Sequence, residues 1–312
     1  MMAPRKNTIV VVGSANMDMV AKVKKFPRPG ETIFGTNFGM FPGGKGANQA
    51  VCAAKLGAPV SFLGKIGSDV LGEKLAVTMK RNKVNLRHLI KTGDTTSGTA
   101  LITVDGGGEN EIIVVSGSNM TLRSVEIRKR KTAFLGAAVV LLQLEIPLEV
   151  VREALIQGKR HGAMTILNPA PAAKTPRSML RLVDYLTPNE TEAEILTGIR
   201  VTTPARVEKA ALKLLELGVR NVIVTLGRRG SLLVNRQVIR KFPSVKVRAV
   251  DSTGAGDAFS GALAVALAAG KRVEEAIIFA SRVAAFSVTR MGAIPSMPTM
   301  RDLRAWNHSP KA

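Results

Sequence analysis

One cysteine, Cys52, is all the chain has. No internal disulfide can form, and a reducing compartment, the cytoplasm, is the expected location. Aromatic residues are scarce as well, at 4% with a single Trp and a single Tyr, which leaves little on which nucleic-acid bases could stack. Zinc-finger and RNA-recognition patterns are missing. No apolar run approaches the ~20 residues of a membrane span; Ala133–Leu142 is among the longest. The opening residues, Met1 to Asn7, are polar and carry no apolar signal core.

Hydrophobic residues make up 46% of the 312, dominated by Val, Ile, Leu and Ala, which excludes global disorder. Such a mixture suits parallel strands buried on both faces under helices. Charge is lopsided: 45 basic against 23 acidic residues give a formal net charge of +22. A field of that sign attracts phosphate backbones. The basic residues are nevertheless scattered, and the densest run, Arg128–Lys131, falls at an expected helix end. Nucleic acid is therefore expected as a non-specific partner only.

Apolar β-branched runs alternate with helical patterns along most of the chain. Strands are expected at Thr8–Val12, Ser61–Lys65, Ala138–Leu142, Met164–Leu167, Tyr185–Thr187 and Asn221–Thr225. Helices are expected at Lys45–Leu56, Ser68–Asn82, Leu148–His161, Glu190–Thr197, Pro204–Leu217, Gly256–Ala269 and Val273–Thr289. This alternation argues for one α/β domain spanning 1–312, with a mostly parallel central sheet flanked by helices. Two stretches, about 19–41 and 97–115, have turn residues and no helical period, and read as strands of a small β-sheet lid. Ligands of such sheets bind beyond the strand C-termini. Asn16, Asp18, Glu145, Asn168 and Asn189 are expected there.

Four motifs carry chemistry. Gly43-Gly44-Lys45-Gly46-Ala47-Asn48 enters a helix, where glycines allow close backbone approach and the helix start offers free N–H groups. Gly39 to Gly46 nearly spells a Walker loop, but Gly46 stands where a magnesium-binding Ser or Thr belongs. Capture of a polar ligand is the better reading. Asp251-Ser252-Thr253-Gly254-Ala255-Gly256-Asp257 also opens a helix, and its glycines can align N–H groups as an anion nest. Asp257, next to the nest, is positioned to take a proton from a hydroxyl attacking phosphorus. Asn189-Glu190-Thr191-Glu192 is a capped helix start when read alone. Beside an anion nest, Asn189 and Glu192 could instead organise hydrated magnesium. Thr225-Leu226-Gly227-Arg228-Arg229-Gly230 reads as a strand end and turn near a nucleotide.

Together these residues make the chain resemble the ribokinase branch of the PfkB carbohydrate kinases, from Thr8 to about Leu303. The resemblance is carried by Gly13–Asp18, Gly43–Ala50, Asn168–Pro171, Asn189–Gly198, Asp251–Phe259 and Thr289–Ser296. It implies a ribokinase-like α/β fold and transfer of a phosphoryl group from ATP to the 5-hydroxyl of D-ribose. Asp257 is implied as the catalytic base, with Gly254, Ala255 and Gly256 as its anion hole. Asn16, Asp18, Gly44, Lys45, Gly46, Ala47, Asn48 and Glu145 are implied to hold the sugar. Asn189, Thr225 to Gly230, Gly256 and Ser281 are implied on the ATP side, with Glu192 acting indirectly on Mg2+. Asp251, Thr253, Ser287, Arg290, Gly292 and Ser296 are implied as the shell of an activating K+, several through backbone carbonyls. Family members often pair through their lids, so a homodimer is expected. Three alternatives stand beside ribose phosphorylation: a kinase for 2-deoxyribose or a nucleoside, a regulatory protein that keeps the fold, and a basic nucleic-acid-binding protein.

Overall fold

The computed structural model describes residues 7–306, so most of the polar opening stretch lies outside the described residues. The apolar runs form a core sheet: β1 (Thr8–Val12), β4 (Val60–Leu63), β9 (Ala137–Leu142), β10 (Met164–Leu167), β11 (Tyr185–Leu186), β12 (Asn221–Thr225), β13 (Ser231–Asn235) and β14 (Ile239–Phe242). Their order is β14-β13-β12-β11-β10-β9-β1-β4. The six strands from β12 to β4 are parallel, while β13 and β14 are antiparallel additions at one edge.

Side chains alternate across a strand, and every position of β1 after Thr8 is fully buried. Ile9 and Val11 enter one core cluster, Val10 and Val12 the other. The first face is covered by α1 (Lys45–Lys55), α2 (Val70–Arg81), α8 (Ala255–Ala268), α9 (Val273–Ser287) and α10 (Met300–Trp306). The second is covered by α3 (Ser124–Lys129), α4 (Leu148–Arg160), α5 (Arg177–Leu180), α6 (Glu190–Thr197) and α7 (Pro204–Glu216). This is why the core strands read as unbroken apolar runs rather than alternating ones.

A second sheet has the order β3-β2-β7-β8, from β2 (Asn16–Lys22), β3 (Asn37–Gly43), β7 (Gly98–Val104) and β8 (Asn110–Val115). Asn16 and Asp18, expected just past the first core strand, are the opening residues of β2 instead. Only Gly13–Ala15 separate the two sheets. A short parallel pair, β5 (Lys65–Gly67) and β6 (Ile90–Thr92), completes the strands. The segment expected as one strand, Ser61–Lys65, therefore breaks at Gly64. The sequence reading places no element at β13 and β14, whose Arg240 and Lys241 interrupt any apolar pattern. They sit on an edge strand, where solvent accepts both.

Candidate active site

The site lies where β1, β9, β10 and β11 end and the second sheet begins. Helix α1 backs directly onto the Gly13–Asn16 segment. A Cβ on Gly46 would stand 2.6 Å from the Ser14 backbone nitrogen and 2.7 Å from the Gly13 carbonyl carbon, so only glycine fits. Ala47 N–H donates to the Ser14 carbonyl at 2.8 Å, and Gly46 N–H to Ser14 Oγ at 3.3 Å. Glu145, just beyond β9, clamps this junction. Its Oε2 accepts from Ser14 Oγ at 2.6 Å and from the Lys45 N–H at 3.0 Å.

Asn16 is buried and its donor end is the free one. Asn119 pairs with both backbone groups of Ala15, Oδ1 accepting from the N–H at 3.0 Å and Nδ2 donating to the carbonyl at 3.2 Å. The same Nδ2 donates to Asn16 Oδ1 at 2.7 Å. Asn16 Nδ2 is thus left to donate to a ligand oxygen, while the neighbouring Asp18 carboxylate can only accept. Burial, with Glu145 and Asp257 nearby, pushes the Asp18 carboxyl up to about 6.

Asp257 stands in the first turn of α8. Gly254, ahead of it, has φ +75°, and a Cβ there would meet Ala293 Cβ at 2.9 Å. Both carboxylate oxygens of Asp257 accept a side-chain amide: Oδ2 from Asn48 Nδ2 and Oδ1 from Gln49 Nε2, each at 2.9 Å. Burial raises this carboxyl above its ordinary range, against the opposing pull of Lys45 and the two amides. Lys45 shows the converse balance. Burial works against its ammonium, yet Asp257, Glu145, Glu192 and Asp18 hold it above the usual lysine value.

A cavity of about 230 Å³ opens beside these groups, lined by Lys45, Asn168, Asn189, Glu192 and Gly254 to Asp257. The N–H groups of Gly256 and Asp257, in the first helical turn, have no carbonyl one turn earlier to bond. Ala255 N–H, expected as part of the anion hole, instead closes a turn onto the Ser252 carbonyl at 3.2 Å. A larger cavity of about 1160 Å³ adjoins the first and shares Asn189, Thr225, Ser252, Ala255 and Gly256 with it. Gly227, Arg228, Gly230 and Ser281 line this second space. Leu226 bonds within its own turn, and Arg229 pairs with Glu190 on α6. Asn189 and Glu192 form a reciprocal cap, Glu192 N–H to Asn189 Oδ1 at 2.8 Å and Asn189 N–H to Glu192 Oε2 at 2.9 Å. Burial lifts the Glu192 carboxyl above its usual value.

The segment before the nest is stitched to the end of α9. Asp251 Oδ1 accepts from Thr253 N–H and Oγ, and Oδ2 from Gly292 N–H at 2.8 Å. Ser287 and Ser296 are buried and donate their hydroxyl protons to the Ala284 and Ala293 carbonyls, both at 2.8 Å. The Arg290 guanidinium lies 4.3 Å over the Phe286 ring.

The sequence reading missed several participants. Gln143 and Asn119 carry no motif, although a glutamine closing the wholly buried run of β9 is an available signal. The stretch Ser244–Val250, which lines the larger cavity with Lys246 and Arg248, alternates like a plain strand and has no glycine to mark it.

Residues 6–300 match the family model described as pfkB family carbohydrate kinase. The ribokinase of Haemophilus influenzae is 39% identical over 297 residues, covering 95% of this chain and 97% of its own. A deoxyribokinase of Salmonella typhi is 38% identical over 299 residues, covering 96% and 98%. The solved structure of Arabidopsis thaliana ribokinase complexed with ribose and ATP matches with a TM-score of 0.92 at 35% identity, covering 97% of this chain and 99% of that one.

Proposed function

The chain belongs to the pfkB carbohydrate kinase family, and on that premise we propose that it transfers the γ-phosphoryl group of ATP to the 5-hydroxyl of D-ribose. The observation that carries this reading is the position of Asp257. It sits between the Asn16, Asp18 and Glu145 corner and the cavity at the α8 N-terminus, with both oxygens oriented by amides. Asp257 accepts the hydroxyl proton as the sugar oxygen bonds to phosphorus. The bond from phosphorus to the β,γ-bridging oxygen breaks and ADP leaves. The first-turn N–H groups of α8 and the Lys45 ammonium face the charge that builds on the transferring group.

Asn16 as donor and Asp18 as acceptor suit vicinal sugar hydroxyls. The larger cavity, with Arg228, Lys246 and Arg248, suits a nucleotide. Among the described residues no cluster of three or more His, Cys, Asp or Glu could hold a metal by itself. Glu192, which lines the smaller cavity, suits Mg2+ carried by the triphosphate and reached through water. Ser287 and Ser296, whose protons are already committed to carbonyls, present only lone pairs, and with Asp251, Thr253, Arg290 and Gly292 they suit K+. When bound, the two cations supply positive charge beside the phosphates and the nest. No described helix is long and apolar enough to cross a membrane, and the buried Cys52 suits the cytoplasm. The apolar second sheet suits pairing with a second copy.

The 38% identical deoxyribokinase favours 2-deoxyribose as a second reading. Steady-state titrations with both sugars decide. A polar group built to bond a hydroxyl loses its partner when that hydroxyl is missing, so kcat/KM for ribose should exceed that for 2-deoxyribose by at least about tenfold. A preference for 2-deoxyribose would overturn the ribose assignment. Asp257→Asn should lower kcat by about 10²–10⁴-fold with sugar KM nearly unchanged. Turnover close to wild type would remove Asp257 as the base.

A further inference from the structure

Behind Asp257 runs a row of buried side-chain amides whose direction is fixed from one end. A lone amide can present either its oxygen or its NH2 to a neighbour. The row begins at the Thr187 carbonyl, just past β11, which can only accept. Asn168 Nδ2 donates to it at 3.2 Å, so Asn168 Oδ1 faces the other way, toward Gln49. Gln49 must answer with its NH2. Its Nε2 lies 3.1 Å from Asn168 Oδ1 and 2.9 Å from Asp257 Oδ1, which uses both protons. Gln49 Oε1 then accepts from Gln143 Nε2 at 2.6 Å. Gln49 and Gln143 are fully buried, and Asn168 and Asp257 are 7% and 6% exposed. The far end of the row is confined too: a Cβ at Gly13 would lie 2.0 Å from Gln143 Oε1.

We propose that Gln49 is a positioning residue for phosphoryl transfer, oriented by Asn168, with Gln143 donating to its oxygen, so that it always offers a donor to Asp257 Oδ1. Asp257 is thereby held as an acceptor-only carboxylate. Its remaining lone pairs are turned to the sugar hydroxyl. The proposal rests on the kinase reading with Asp257 as base. It also explains why three buried amides line up behind one carboxylate: Asn168 takes one Gln49 proton, Gln143 takes the Gln49 oxygen, and the other Gln49 proton is left for the reacting group.

Charged and titratable groups from each surrounding element bear on Asp257: Lys45 and the Cys52 thiol from α1, Glu145 beyond β9, Asp18 on β2 and Glu192 on α6. None changes when Gln49 is replaced. A displaced acid limb in the rate profile therefore reports on the amide contact itself.

The experiment compares kcat and sugar KM across pH for wild type, Gln49→Met, Gln49→Glu and Gln143→Glu, with thermal melts alongside. In Gln49→Met, kcat at neutral pH should fall about 10–100-fold while KM changes less than about threefold, and the acid limb should move to higher pH. Gln49→Glu places two carboxyls in contact that share one proton, so activity should be depressed at neutral pH and recover as pH rises. Gln143→Glu does not touch Asp257; it sets a carboxylate against Gln49 Oε1 and should move the same limb with a smaller loss of kcat. If the Gln49 variants fail to fold, the limb in Gln143→Glu decides alone. Acid limbs unchanged from wild type, or losses confined to melting temperature or KM, overturn the proposal. Asp257→Asn, run in parallel, separates the outcomes: inactive beside unshifted Gln variants, it leaves the kinase reading standing and removes only the amide row.

Discussion

Four carboxylates, Asp18, Glu145, Glu192 and Asp257, surround one ammonium, Lys45, at the centre of the site. Asp18 carries a measurable consequence. Its carboxyl rises from 3.8 to about 6, first through burial and then through Glu145 and Asp257. A carboxyl that is harder to ionise in the folded chain than in the unfolded one destabilises the fold once it is ionised. The penalty is absent below about pH 4, grows as pH rises toward 6, and is fully present above 6. A shift of that size corresponds to about 3 kcal/mol at most, and solvent at the open side of the groove reduces it to about 1–2 kcal/mol. Asp18→Asn should therefore melt a few degrees higher than wild type at pH 8, with the gain vanishing near pH 4. The same variant should bind sugar more weakly, because an amide cannot accept at both of its ends. Equal melting temperatures at pH 8 would show that Asp18 is not strained by its neighbours.

At the scale of elements, the loop before α8 and the end of α9 act as one piece. Val250 and Asp251 N–H groups both donate to the Val288 carbonyl, and Asp251 joins Thr253 to Gly292. Despite partial burial, hydrogen bonds from Thr253 and Gly292 hold the Asp251 carboxyl below its ordinary range. A cation on this shell would fix the turn that precedes the nest. Potassium should raise kcat relative to sodium or choline buffers, and Asp251→Ala should abolish the difference. Equal rates in all three salts would remove the cation site. Elements with strong local signals were legible in the sequence: β1 in its continuous apolar run, α6 in the Asn189 and Glu192 cap, α8 in the glycines before Asp257. What sequence periodicity could not convey is which buried polar groups meet. Gln49 and Gln143 are 94 residues apart and converge only because β9 ends where α1 begins. The β13–β14 hairpin escaped notice because an edge strand tolerates Arg240 and Lys241 where a central strand would not.

Across the whole molecule, a net charge of +22 encloses an acidic corner at Asp18, Glu145 and Glu192, while Arg228, Lys246 and Arg248 line the larger cavity. The surface departs from that basic character on the second sheet. Among the described residues, strand β8 pairs only with β7, which leaves its outer edge unpaired there, and Ile112, Ile113, Val114 and Val115 are each about half exposed or more. Successive residues face opposite sides of the sheet, so both faces of this edge are apolar. Phe38 and Phe41 on β3 and Leu101 on β7 extend the patch. An unpaired apolar edge of this kind is either covered or prone to aggregate. A second copy of the chain would cover it with one self-complementary surface. The register ties the patch to the proposed site: Asp18 pairs with Ala100, and Ala100 with Val114, so one face of the patch continues the face that carries Asp18. Wild type should sediment at twice the 33.2 kDa chain mass. Ile113→Asp, which charges the strand on the face away from Asp18, should sediment as a folded monomer. If pairing holds the sheet over the sugar, that monomer should show KM for ribose raised about tenfold with kcat little changed. A monomeric wild type, or a variant that stays dimeric, would place the contact elsewhere.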